Sequence, residues 1–116
     1  MVKFCKDHKI DVSENLFGGG GTVAFKRIIE TPEELYNKGR VFSVATVPAG
    51  AGLGVHEHHG EEEFYYILSG TGEYCDNGET VIVGPGDTTV CKDGEKHGIW
   101  NKGPEDLVYL ALILSK

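Results

Sequence analysis

Residues 56–70 read HEHHGEEEFYYILSG, three histidines and three glutamates set ahead of an aromatic, apolar run that stops at a glycine. On a strand, side chains alternate between faces, so His56 and His58 point one way and Glu57 the other. Two imidazoles on one face can share an ion. A His-x-His pair also occurs on solvated strands, so the pair alone leaves both readings open. Gly60 gives the chain a place to turn before Glu61, Glu62 and Glu63 start a second strand. In an antiparallel neighbour, residues at the start of the second strand lie opposite the end of the first. One of the three glutamates can therefore face the histidine pair.

Beyond the glutamates, Tyr65 and Ile67 share the parity of Glu63 and are expected to face inward. Tyr65 there fills space or offers its hydroxyl to a ligand. Phe64, Tyr66 and Leu68 make the opposite face equally apolar, and such a face needs a second sheet or another subunit to cover it. The apolar stretch 107–114 raises the same need, so a homodimer is expected.

Around this stretch the chain reads as short strands separated by its 17 glycines. Expected strands span Thr22–Ile29, Arg40–Val47, Leu53–His58, Glu63–Leu68, Thr71–Asp76, Glu79–Val83, Asp87–Cys91, His97–Asn101 and Leu107–Leu114. Turn signals at Asp76-Asn77-Gly78, Gly84-Pro85-Gly86 and Asp93-Gly94 fall between them. That spacing gives an all-β sandwich or barrel. One short helical turn is expected where Thr31, Pro32 and Glu34 follow the order of a cap, a first-turn proline and a capping-box glutamate. Gly18–Gly21 lacks the Lys-Ser/Thr ending of a phosphate loop and reads as a flexible turn into the first long strand.

The whole chain limits the function. Its 116 residues fit one domain able to bury a core without metal or disulfide help, so a metal here serves chemistry rather than scaffolding. Eleven Lys and Arg against 18 Asp and Glu leave a formal charge of -7 with no basic run, which disfavours nucleic acid and anionic membranes as partners. The start, MVKFCKDHKIDV, has no apolar export segment, and no apolar run is long enough to span a bilayer, so a cytoplasmic protein is expected. Cys5, Cys75 and Cys91 form no close pair and read as free thiols. Cys91 alone keeps a minor redox reading, should it fall near the site.

The segment from Gly50 resembles the first motif of the cupin superfamily, Gly-x5-His-x-His-x3or4-Glu-x6-Gly, with Gly50, His56, His58, Glu63 and Gly70 in place. The six-residue gap to Gly70 selects Glu63. The second motif, Gly-x5-Pro-x-Gly-x2-His-x3-Asn, is matched by Gly86, Gly94, His97 and Asn101, with Lys92 where the pattern has proline. The resemblance spans residues 50–101 and says little about the first 40. It implies that residues 1–116 form a single cupin domain, a double-stranded β-helix or jelly-roll barrel. It also implies one divalent metal (Mn, Fe, Ni, Zn or Cu) held by His56, His58, Glu63 and His97. Three neutral imidazoles and a carboxylate suit such ions, and open coordination positions suit catalysis.

Cupins host many reactions, so the fold leaves the activity open. The expectation is a metal-dependent enzyme of isomerase, epimerase or lyase type acting on a small hydroxy-carbonyl or carboxylate, with Glu63 and Tyr65 as catalytic residues. An iron-dependent dioxygenase and a non-catalytic ligand-binding sensor domain are the alternatives. Glu57, Glu61 and Glu62 are read as solvated, His59 as surface, and His8 as part of a loose terminus.

Overall fold

The computed structural model describes all 116 residues. Ten strands form two antiparallel sheets. The strands are β1 (Ile10–Glu14), β2 (Thr22–Arg27), β3 (Gly39–Val47), β4 (Gly52–Glu57), β5 (Glu61–Ser69), β6 (Gly72–Asp76), β7 (Glu79–Val83), β8 (Thr88–Cys91), β9 (Lys96–Trp100) and β10 (Leu107–Ser115). A six-stranded sheet runs β1-β2-β3-β10-β5-β8 and a four-stranded sheet runs β4-β9-β6-β7. The chain crosses from one sheet to the other repeatedly, as the jelly-roll expectation requires. No helix is long and apolar enough to cross a membrane.

The inner faces supply the core because alternation on each strand is nearly strict. On β10, Leu107, Tyr109, Ala111 and Ile113 are buried while the residues between them are half-buried on the outer face. On β5, Glu63, Tyr65 and Ile67 point inward, as their parity predicts. Tyr65 and Ile67, with Leu107, Tyr109, Ala111, Val23, Ala45, Val47, Leu53, Tyr74 and Ile99, close one apolar cluster between the sheets. The opposite face of β5 stays uncovered, with Tyr66 47 % and Leu68 43 % exposed.

All nine expected strands match observed ones in order, Glu79–Val83 with the same ends and the other eight with ends shifted by one or two residues, so that His58 falls just past the end of β4. β1 was not anticipated. Its alternation is inverted: Ile10 and Val12 face outward at 60 % and 65 % exposure, and Asp11 and Ser13 turn inward. Pattern reading expects apolar residues to mark the buried face, and here the polar ones do. The terminus is also not loose, since His8 Nδ1 lies 2.8 Å from the Arg27 carbonyl oxygen.

The helical turn at Pro32–Leu35 carries both halves of the expected capping box, and two further single 3-10 turns occur at Cys5–Asp7 and Leu16–Gly18. The Asn77-Gly78 turn joins β6 to β7 with φ of 51° and 95°, the left-handed pair that a two-residue hairpin needs. At the motif's missing proline, the Lys92 amide donates to Glu95 Oε1 at 2.9 Å. A proline has no N–H to give, so the lysine closes this turn by a bond the usual residue cannot make.

Candidate metal centre

The two sheets bring the four motif residues to one point. β4 pairs with β9 so that His56 stands opposite His97, and β5 supplies Glu63 from the other sheet. His58 lies just past β4, where its amide donates to the Glu95 carbonyl at 3.1 Å. The Nε2 atoms of His56 and His58 each lie 3.1 Å from His97 Nε2. Glu63 Oε1 lies 3.1 Å from His58 Nε2 and 3.0 Å from His97 Nε2. All four ligand atoms fall within 4.8 Å of one another.

The outer nitrogens fix which atoms face inward. His56 Nδ1 lies 2.8 Å from the Gly54 carbonyl oxygen and His58 Nδ1 lies 2.9 Å from Glu61 Oε1. Both partners only accept, so each Nδ1 carries the proton, and each Nε2 of the neutral ring turns a lone pair inward. His97 Nδ1 meets the Tyr74 hydroxyl at 2.8 Å. The centre is thus a cluster of acceptors with too few protons to bond them to each other, an arrangement that a cation relieves. Edges of 3.0–3.1 Å also match donors set at right angles about an ion with bonds of about 2.1–2.2 Å. The residues present fit a divalent metal on both counts.

Charge around the cluster is arranged in layers. Arg40 donates from Nε and Nη2 to the two oxygens of Glu61, each at 2.8 Å. That pairing, with a further bond from His58, holds Glu61 down to about 2, fully ionised against the opposing effect of burial. Glu61 therefore orients His58 and raises its basicity, the role of a carboxylate behind a ligating histidine. The reading of Glu61 as solvated is corrected by this: its side chain is 15 % exposed and bonded on both sides. Burial raises Glu63, but bonds from His58 and His97 outweigh it and keep the carboxyl below its usual value. Burial lowers His56, against the pull of the Gly54 carbonyl. His58 is raised, first by its bond to Glu63.

Aromatic rings wall the cluster. Tyr65 stacks on His97 with centroids 5.0 Å apart and is fully buried, so it packs against the site and also lines the adjoining cavity. Phe17 stacks on His56 at 4.0 Å and 16°. It reaches there because Gly18–Gly21 is not a loose turn but part of a strap seated on β4. The Gly52 amide donates to the Gly20 carbonyl at 3.1 Å, and a Cβ at Gly54 would lie 1.8 Å from the Phe17 carbonyl oxygen. His59, 70 % exposed, pairs with Glu57 away from the cluster, as its parity predicts. Cys91 sits across from Glu63 in the β5–β8 ladder, but burial pushes its thiol up to about 12, which leaves it protonated and inert.

A cavity of about 390 Å³ opens onto His56, His58 and Glu63. Its walls include Leu16, Phe25, Leu53, Ile113 and the Tyr109 ring, with Ser43 and Tyr65 as hydroxyls. Arg27, paired with Asp11, and Arg40, paired with Glu61, stand at its side. Tyr74, Phe17 and Tyr109 were given no role at the site from sequence, and Glu61 was read as solvated. Only the glycines at 52 and 54, opposite a glycine run at 18–21, hinted at a close approach there.

The centre can be set beside known proteins. A crystal structure of a predicted oxalate decarboxylase from Thermotoga maritima superposes with a TM-score of 0.94 at 37 % identity, covering 100 % of both chains. A relative named oxalate-binding protein, from the same organism, is 41 % identical over 100 residues, 86 % of this chain and 82 % of its own. A putative sugar phosphate isomerase from Acidithiobacillus ferrooxidans shares the fold at a TM-score of 0.76 and 22 % identity, covering 99 % of this chain and 75 % of its own. The Cupin domain family matches residues 43–113, a span holding all four converging side chains and the strands that carry them, and the chain belongs to that family.

Proposed function

We propose that this protein holds one divalent first-row metal at His56, His58, Glu63 and His97 and uses it to bind a small carboxylate anion, with oxalate the first candidate. The observation that carries the reading is the convergence of three Nε2 atoms and one carboxylate oxygen within 4.8 Å on a cavity large enough for a small acid. The relatives' names supply the candidate anion. Bound there, a metal supplies a Lewis acid that holds the anion's oxygens and takes up negative charge.

The chain's own residues do the rest. Arg27 and Arg40 stand at the cavity's side, each already balanced by its carboxylate partner, Asp11 and Glu61. Leu16, Phe17 and Phe25 exclude water and strengthen each polar contact inside. Glu63 and Tyr65 are assigned the catalytic roles. Glu63 stays ionised beside the ligand, and Tyr65, raised well above the usual phenol range by burial, is a proton donor rather than a base. The substrate class is a carboxylate or hydroxy-carbonyl compound.

A second reading, binding without turnover, is favoured by one observation. Asp11 and Glu63, two of the carboxylates lining the cavity, are already committed, to Arg27 and to the histidines. The third, Glu30, is exposed, so a ligand proton has no uncommitted buried carboxylate to move to. Titrating oxalate into metal-free and Mn-, Fe-, Ni-, Zn- or Cu-loaded protein by calorimetry tests the common part. Binding is expected only after loading, and equal binding with and without metal sinks the proposal. NMR of the mixtures, with and without oxygen, then sorts turnover from binding.

We also propose a homodimer through the outer face of the six-stranded sheet, where Tyr66, Leu68 and Val90 stand exposed beside the half-buried outer row of β10. A stable interface hides about 800 Å² per partner. Sedimentation at micromolar concentration is expected to give about 25 kDa, twice the chain's 12.6 kDa. Tyr66→Glu is expected to return it to monomer, and wild-type protein at 12.6 kDa overturns the dimer.

A further inference from the structure

Six polar residues are buried: Ser43, His58, Glu63, Thr89, His97 and Asn101. Three of them belong to the metal centre. Asn101 is bonded to the Val47 and Glu105 carbonyls and to the Gly103 amide. Thr89 Oγ1 is enclosed beside Tyr74 and does not line the cavity. Ser43 has none of these explanations. It is 6 % exposed and takes part in no side-chain hydrogen bond, yet its oxygen is not enclosed as Thr89 Oγ1 and Tyr109 Oη are. The surface that Ser43 Oγ keeps faces the cavity, which Ser43 lines together with His56, His58 and Glu63.

Register places this hydroxyl away from the metal centre. The inward parity of β3 selects Val41, Ser43, Ala45 and Val47, so the serine interrupts an apolar row. Ser43 stands opposite Arg27 on β2 and Ala111 on β10, and Ala111 stands opposite Tyr65 on β5. Glu63 lies two residues before Tyr65 on the same inner face. Strands about 4.8 Å apart, with about 3.4 Å per residue along each, separate the Cα atoms of Ser43 and Glu63 by about 12 Å. The side chain between them, Ala111, is a single methyl, so the floor stays open. A cavity of about 390 Å³ holds far more than a two-carbon acid. Past Ser43 the wall is polar again, with Arg27 paired to Asp11.

We propose that the cavity takes a hydroxylated carboxylic acid longer than oxalate, with its carboxylate at the histidines and Glu63 and a hydroxyl further along its chain bonded to Ser43 Oγ. The sheet spacing sets its length at about five or six carbons. This rests on the anion-binding reading above and adds to it the chemical class of the ligand and the residue that selects it. A serine hydroxyl donates and accepts, and so does an alcohol, so the two pair whichever way either is turned. An acid with a bare methylene at that point covers the serine oxygen and leaves it unbonded, and a polar group left so is what rejects a near-isostere.

Ser43→Ala removes the oxygen and keeps the floor open. Metal-loaded wild type and variant are titrated by calorimetry with oxalate, hexanoate, gluconate and galactonate, and metal content is determined before and after. The last three are six-carbon acids that differ in their hydroxyls. Wild type is expected to bind the better of gluconate and galactonate at least about tenfold more tightly than hexanoate. In Ser43→Ala that acid is expected to bind about tenfold more weakly, with oxalate and hexanoate bound as before. Without ligand the variant is expected to melt at or above the wild-type temperature, because no bond within the chain is lost. A lower melting temperature means that the serine is bonded within the fold and overturns the proposal. Hydroxylated acids bound no better than hexanoate, an unchanged or equal loss across the probes, or loss of metal from the variant overturn it as well. Oxalate bound by wild type without either hydroxylated acid removes the role of Ser43 and leaves the anion-binding reading standing, whereas metal uptake with no probe bound removes both.

Discussion

Replacing His97 by alanine is expected to remove bound metal and, with it, the stabilisation that metal gives. His97 is the hub of the cluster, since its Nε2 approaches His56, His58 and Glu63 at 3.0–3.1 Å. Without it the other three ligand atoms lose their common neighbour, and affinity is expected to fall by at least about 100-fold. An ion that binds only the folded state stabilises it by about 4 kcal/mol at a thousandfold excess over its dissociation constant. In a chain of this size that raises the melting temperature by about 15 °C. Wild-type protein is expected to show this rise with about one ion per chain, and His97→Ala to show neither. The variant also leaves the Tyr74 hydroxyl and the face of Tyr65 unpaired, so its metal-free form is expected to be less stable too. His97→Gln restores volume but not the ligand, and separates the two losses. His59→Ala, in an exposed pair with Glu57, is the control and should change neither quantity. Full metal content at full stability in His97→Ala would refute the assignment.

What the sequence disclosed and what it hid follow one physical line. Strand parity is local, so the inward set Glu63, Tyr65 and Ile67 and the outward His59 were legible from the order of residues. Turn chemistry is local as well, and Thr31, Glu34 and Asn77-Gly78 behave as their types demand. His97 was legible only because spacing in a second motif pointed to it. Glu61 and Tyr74 were not, because their value depends on which strands become neighbours. Arg40 must arrive from β3 to hold Glu61, and β6 must pair with β9 for Tyr74 to reach His97. β1 escaped because its apolar residues face outward, which reverses the rule that reveals a strand.

The strap on β4 shows how far a local reading can mislead. Four glycines in a row read as freedom, yet here they permit contact. Gly54→Ala is expected to destabilise the protein by about 2–3 kcal/mol, more than the added methyl's size implies. The new Cβ would lie 1.8 Å from the Phe17 carbonyl oxygen and 3.1 Å from the Gly19 amide nitrogen, both backbone atoms that no rotamer change can move. Phe17 itself sits at φ 51°, a left-handed conformation held by its neighbours, so the strap has no slack to absorb a shift. When it lifts, Phe17 leaves the face of His56 and the Gly52–Gly20 bond breaks. The Gly54 carbonyl that orients His56 moves with it. Thermal melts are expected to fall by roughly 10 °C, and metal titration to show weaker binding in the same variant. Phe17→Ala keeps the strap and removes only the ring, so it should melt closer to wild type while exposing His56. Gly84→Ala, where an added Cβ meets nothing within 4 Å, should be nearly neutral. If Gly54→Ala melts with the wild type, the strap is not seated on β4. If it loses stability but keeps full metal affinity, the strap supports the barrel alone, and His56 is held by its own strand.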